Sequence, residues 1–384
     1  NNQLSGNIPS ELEFLGQLQQ LFLQNNQFSG NIPPGLGLLG NLVWLFLQNN
    51  QLSGNIPSEL GLLSKLNYLY LNNNQLFGNI RTELGLLTRL QELDIGSNSI
   101  SGTIPGELQH SIVLQILYLD HNYLVGTVAS EFSNWIDLTD LNIGSNQLTG
   151  ELSSIANLRN LQALVVSDNR FSGNLENLFE GTNSSNSIET VDVSSNGFTG
   201  SLPSALFNSP SLQTFIGSEN CFSGSISSDI CIAVGLVTLD LSGLAAGCGT
   251  NYKFVGFDFY TAAFVGGEIP ECLFTLPNIT SLYISGNGIR SQLYDIPVTS
   301  HLVNLSLSYN RLYGTIPQSL QQKSSMQFLD MSFNQLSGTI SDMDNYTLIE
   351  GIENRSLSIH LESNRLSGEI PSSFTDAVSI NILN

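Results

Sequence analysis

An Asn placed ahead of a Gln-Leu-Ser-Gly-like segment recurs at Asn2, Asn26, Asn50, Asn74, Asn98, Asn122 and Asn146, and every interval is 24 residues. The series continues, with some longer turns, at Asn169, Asn196, Asn220, Asn287, Asn310, Asn334 and Asn364. Ile380 and Leu383 begin one more copy, which the chain end interrupts. A fixed period of this length makes each copy a supersecondary unit that buries its apolar face only against its neighbours. The two or three globular domains that 384 residues would otherwise imply are therefore not expected.

The apolar positions within a copy define its local structure. Leu18, Leu21 and Leu23 of the segment LQQLFL, and Leu42, Leu45 and Leu47 of LVWLFL, alternate with exposed positions. Each such segment reads as a short strand with one buried face, and successive copies supply successive core layers. The Asn that follows (Asn26, Asn50, Asn74, Asn98, Asn122, Asn146) is expected to point inward and satisfy backbone groups at the corner. Gly30 and Gly54 allow a tight return, and Pro33 and Pro57 suit an extended segment without a ladder partner. Parallel pairing of copies about 4.8 Å apart predicts an α/β solenoid with a parallel sheet on its concave face. A single domain over 1–384 is expected, with about 15 turns of about 24 residues, cut at both ends.

The consensus LxxLxLxxNxLxGxIPxxLGxL resembles the plant-type leucine-rich repeat over the whole chain, apart from one disturbed stretch. It is similar to the ectodomains of plant and algal leucine-rich-repeat receptor-like proteins and kinases, and to soluble polygalacturonase-inhibiting proteins. The resemblance implies a right-handed superhelical horseshoe, with 3-10 or irregular segments on its convex face. It also implies an extracellular or cell-surface module that recognises a protein, peptide or glycan, with any kinase outside these residues.

Charge removes several other functions. The balance of 11 Lys and Arg against 32 Asp and Glu gives −21 and a pI near 4.2, which argues against nucleic acid and against an anionic membrane surface. No apolar run is long enough for a transmembrane helix. The chain begins at Asn1 without a signal-peptide pattern, so it reads as a piece of a longer protein whose parent is membrane-anchored or secreted. GxSxG, HExxH, P-loop and strand-to-helix GxGxxG motifs are missing, and His110, His121, His301 and His360 fall in different turns. No enzyme, cofactor or metal is expected.

The period breaks after Asn220. The position 24 residues on is Leu244, and the next return, Gly267-Glu268-Ile269-Pro270, implies a phase position at Ala263. The excess is an insertion at 245–263 that carries Tyr252, Phe254, Phe257, Phe259 and Tyr260. Either it packs back on the solenoid or it helps form a ligand site, as island insertions do in the resembled receptors. Asp342 to Arg355 reads as a smaller tolerated loop. Cys221, Cys231, Cys248 and Cys272 surround the break and suggest disulfides. Three connectivities are open; Cys221–Cys231 with Cys248–Cys272 is preferred because each closes a short loop. Sequons stand at Asn183, Asn278, Asn304, Asn345 and Asn354.

The exposed strand positions form the candidate binding surface. Phe22, Trp44, Phe46, Tyr68 and Tyr70 should make one contiguous aromatic patch, with Tyr118 further along, and soluble proteins rarely expose such patches without a partner. Asp140, Asp168, Asp192, Asp240 and Asp330 make the same face acidic: a solvated surface, a seat for a basic peptide, or a weak calcium site. A second ladder follows each repeat Gly, at Asn7, Asn31, Asn55, Asn79, Thr103 and Thr127. Regular polar ladders can order water, and some leucine-rich-repeat antifreeze proteins resemble this. The expected function is ligand recognition through the concave face, with a secreted hydrolase inhibitor and a structural or ice-binding protein as alternatives.

Overall fold

The computed structural model describes residues 2–179, 187–244, 265–297, 299–321, 323, 325–341, 358–370 and 379–381. They form two compact units, Asn1–Gly173 with Asn177–Asn196, and Asn174–Glu176 with Gly197–Asn384. Both are built from the same turn.

In the first unit each turn contributes one three-residue strand, from Gln20–Phe22 and Trp44–Phe46 through Tyr68–Tyr70, Glu92–Asp94, Ile116–Tyr118, Asp140–Asn142 and Ala163–Val165 to Thr190–Asp192. The strands pair in parallel, and Leu45, Leu69 and Leu93 lie in one register. Those leucines are fully buried, while residues on either side face outward. A second ladder of parallel strands, which includes Gln27–Asn31, Gln51–Gly54 and Gln75–Asn79, follows each corner. The chain then returns through a 3-10 helix such as Pro34–Leu38 or Ser58–Leu62. Pro33 and Pro57 cap these helices in extended conformation, and their carbonyls accept the first helical bonds from Leu36 and Leu60. Proline suits that position because its φ is preset and it has no N–H to satisfy.

The corner asparagines hold the layers together. Asn122, 6% exposed, donates through Nδ2 to the carbonyls of Ile95, Leu119 and Asp120, each at 3.1 Å. Its Oδ1 accepts the Ile100 N–H at 2.9 Å. One side chain thus ties its own turn to the preceding one and satisfies four polar groups that would otherwise be buried unpaired. Equivalent bonds are made by Asn50, Asn74, Asn98 and Asn146.

Two glycines show how tightly turns stack. Gly54 has φ +79°, and a Cβ there would strike the Asn31 side chain of the preceding turn. A Cβ at Gly61 would run into the Glu83 backbone carbonyl. The polar residue after each repeat Gly therefore sits over the glycine of the next turn.

The second unit repeats the pattern with strands Thr214–Ile216, Thr238–Asp240, Ser281–Tyr283, Asn304–Ser306, Phe328–Asp330, Ser358–His360 and Ser379–Asn381. Thr238–Asp240 pairs directly with Ser281–Tyr283, so the extra residues leave no gap in the sheet. Leu244, in the place of the corner Asn, is buried and donates its N–H to Asn287 Oδ1 at 2.8 Å. The insertion residues Tyr252, Phe254, Phe257, Phe259 and Tyr260 lie outside the described residues, as do Ala263 and the loop from Asp342 to Arg355. Phe328–Asp330 and Ser358–His360, which flank that loop, pair without interruption.

The preferred cysteine pairing is corrected here. Cys231 is bonded to Cys272, with Cα atoms 5.6 Å apart and a sequence separation of 41. Cys231 lies in a 3-10 helix, Ser228–Ile232, and Cys272 lies in the next one, Glu271–Phe274. Stacking of consecutive turns brings these helices together, so proximity in space overrides the short-loop preference. Cys221 is disulfide-bonded as well, and Cys248 lies outside the described residues.

Candidate ligand-binding face

The outward positions of the first unit's strands bring the predicted aromatic residues together. Phe22 pairs in register with Phe46, and Phe46 with Tyr70; Trp44 pairs with Tyr68. The Phe22 and Phe46 rings are 4.9 Å apart, and Phe46 and Tyr70 are 4.6 Å apart and nearly parallel, at 6°. Trp44 and Tyr68 are 6.0 Å apart and tilted, and Trp44 also reaches Phe22 at 6.2 Å. Parallel strands set one ring per turn at stacking distance.

The patch is a self-stacked ladder. Its inner rings stack on one another and are half-buried, so Phe22, at 48%, is the one exposed ring of the five. Trp135, the other tryptophan, is buried against Phe132 and donates its indole N–H to the Leu108 carbonyl. Tyr118 does not join the ladder. It stands in register with Asp94, which separates it from Tyr70.

Carboxylates begin where the ladder ends. The Tyr70 hydroxyl donates to Glu92, and Tyr68 donates to Gln91 Oε1 at 2.8 Å. Burial, reinforced by the bond to Glu92, pushes the Tyr70 hydroxyl far above its ordinary pKa. Tyr118 is also raised, by burial first and then by the charge of Asp140. Asp94 is raised to about 6 by burial; its bond from the Gly96 N–H acts in the opposite sense, and Asp120 raises it further. The space above Gly96, which has no side chain, is taken up by the Asp94 and Asp120 carboxylates.

The acidic residues have structural roles that sequence reasoning missed. Asp94, Asp192, Asp240 and Asp330 each accept the backbone N–H two residues on, at 2.8–3.0 Å. This is an Asx-type turn at the strand end, legible in principle as Asp two residues before Gly or Ser. Asp168, expected on the sheet face, lies at the corner with φ +52°. Asp140 accepts from the Thr139 hydroxyl at 2.6 Å. Beside the rings, the amide oxygens of Gln24, Gln48 and Asn72 are enclosed and meet no donor among the described residues.

The flat side carries the polar ladder over its glycines: Asn7 over Gly30, Asn31 over Gly54, Asn55 over Gly78, Asn79 over Gly102, Thr103 over Gly126 and Thr127 over Gly150. Of the sequons, Asn278 is exposed and donates to the Val234 carbonyl, and Asn304 lies on a strand, donating to Ser281 Oγ. Asn183, Asn345 and Asn354 lie outside the described residues. Among the described residues no group of His, Cys, Asp and Glu could hold a metal ion, and no helix is long and apolar enough to cross a membrane.

Short strands stacked one per turn, an inward Asn at nearly every corner and an open sheet face define a leucine-rich-repeat solenoid. The chain carries leucine-rich repeats: family models described as leucine-rich repeat match residues 112–171 and, separately, 17–39, 41–63, 89–111, 187–209 and 301–322. Receptor-like protein 32 of Arabidopsis thaliana is 31% identical over 196 residues, which is 48% of this chain and 21% of that protein. The ectodomain of the Arabidopsis receptor kinase HAESA, solved with an N-terminally extended IDA peptide hormone, matches with a TM-score of 0.84 and 28% identity, over 100% of this chain and 61% of that one. A plant ice-binding protein matches with a TM-score of 0.53 and 31% identity, over 59% of this chain and 73% of that one. The chain thus spans about a fifth of the curated relative and about three-fifths of the HAESA ectodomain.

Proposed function

We propose that this chain is a ligand-recognition module, part of the extracellular region of a receptor-like protein, and that it binds a peptide, protein or glycan across the open sheet face of its first unit. The aromatic ladder carries this reading. The fold needs leucine only at the inward strand positions; Phe22, Trp44, Phe46, Tyr68 and Tyr70 stand at outward ones, where polar residues would serve the fold equally well. Aromatic side chains dominate binding hot spots because they bury large area at small entropic cost. The similarity to Receptor-like protein 32, and to the HAESA ectodomain solved with its peptide hormone, supports the same reading. No step of catalysis is proposed.

The test is selection of binders from displayed peptides and from arrayed glycans. Binders should be lost with Phe46→Ser or Tyr70→Ser and kept with Leu62→Ser, which alters an exposed residue on a 3-10 helix. Binders that survive both sheet-face changes would place recognition elsewhere.

A second reading, ice binding by the flat Asn and Thr ladder, is favoured by the likeness to the plant ice-binding protein. Thermal hysteresis would support it, and its absence would remove it. Inhibition of a foreign hydrolase, the remaining alternative, predicts inhibition of pectin-degrading enzymes.

A further inference from the structure

We propose that the occupant of the sheet face is an extended, cationic peptide lying along the stacking axis, with an apolar side chain at the Phe22–Phe46 end and a Lys or Arg at Glu92, Asp94 and Asp120. This rests on the recognition reading above and names the class of ligand.

Charge complementarity selects this occupant. Within the sheet that carries the ladder, none of the strands from Gln20–Phe22 to Thr190–Asp192 holds a Lys or Arg, and the chain carries a net charge of −21. At this cluster His121 pairs with its neighbour Asp120, at 2.8 Å, and is itself largely exposed. The carboxylates of Asp94 and Asp120 crowd together above Gly96, and Glu92 is held beside them by Tyr70. A guanidinium or ammonium group would relieve this repulsion, and a guanidinium would offer several donors at once.

The neighbouring features also call for donors. The enclosed oxygens of Gln24, Gln48 and Asn72 form a row, one per turn, beside the rings. Acceptors left without a partner are rare in native proteins. Rotation of these side chains would turn their oxygens toward peptide N–H groups, which a backbone supplies at regular intervals. The exposed Phe22 ring at the far end takes an apolar side chain.

Spacing sets the ligand's pattern. Phe22 and Asp94 are three strands apart, so about 14 Å separates them. An extended peptide rises about 3.3 Å per residue, so the apolar and cationic side chains should be about four residues apart.

The experiment pans phage-displayed random peptides on the full chain and on the double variant Asp94→Asn/Asp120→Asn. Asn retains an oxygen for the Gly96 N–H; circular dichroism and thermal unfolding confirm that the variant folds as the parent does. Expected is enrichment of peptides with Lys or Arg about four residues from an aromatic or aliphatic residue, binding the variant at least about tenfold more weakly and weakening with added salt. Enriched peptides that need Phe46 but carry no cation and bind both proteins equally would overturn the cationic assignment and leave the recognition reading intact. Peptides insensitive to Phe46→Ser and to the double variant, or no enrichment, would overturn both.

Discussion

Tyr70 and Glu92 stand diagonally across neighbouring strands, and the tyrosine hydroxyl donates its hydrogen bond to the glutamate carboxylate. This contact joins the aromatic ladder to the acidic part of the face, and burial holds the phenol protonated beyond its ordinary range. A raised phenol contributes stability below about pH 10 that is lost as pH rises beyond it. In an alkaline absorbance titration, Tyr70→Phe should remove one late-titrating tyrosine. A late phase of unchanged amplitude would contradict this.

Asp94 gives a pH-dependent stability of the less usual sign. Its carboxyl is raised to about 6, so its contribution is fully present below about pH 4 and lost as pH rises through 6. Asp94→Asn should therefore stabilise the protein at pH 7.5, by up to about 2 kcal/mol, and much less at pH 4.5. Urea unfolding at the two pH values is the check; equal effects at both would show that Asp94 titrates normally.

Asn122→Ala removes three donated bonds and one accepted bond between buried turns. A loss of about 2–3 kcal/mol is expected from the unpaired groups. Asn26 is less buried, and among the described residues its side chain bonds across turns to the Leu4 N–H alone, at 3.2 Å, so its change to Ala should cost under about 1 kcal/mol. Similar losses at the two sites would mean that burial does not set the strength of the ladder.

Gly61→Ala should destabilise by about 1–3 kcal/mol, because the new methyl meets the backbone carbonyl of Glu83 and cannot be relieved by a rotamer change. Gly16→Ala, with open space around it, should be near neutral. Thermal unfolding of the pair separates crowding from the restriction of the unfolded chain, which would favour Ala at both.

The Cys231–Cys272 bridge closes a loop 41 residues long, for which chain entropy gives a stabilisation of about 4 kcal/mol or less. The double Ser variant should lower the unfolding midpoint of its unit accordingly. Peptide mapping without reduction should recover Cys231 and Cys272 in one species; recovery of Cys221 with Cys231 would refute the pairing.

Much of the turn was legible in the residues themselves. The regular copies show their inward leucines, corner Asn and return Gly within 24 residues, and repetition identifies them without any long-range information. The aromatic residues could be placed on one face for the same reason: strand alternation is a local rule, and the constant period puts Phe22, Phe46 and Tyr70 in one column.

What the tertiary structure alone decided depends on contacts between turns. Residues 24 apart become neighbours at stacking distance, so the rings spend their faces on each other and Tyr118 is cut off by Asp94. The same stacking brings Cys231 to Cys272 across an insertion, against the preference for short loops. It also buries Asp94 and sets Asp120 beside it above Gly96, and burial first, then that neighbouring charge, raises the Asp94 pKa. A repeating sequence specifies the unit and its orientation; partner choice and electrostatics belong to the stack, because distances between side chains of different turns exist only once the turns are packed.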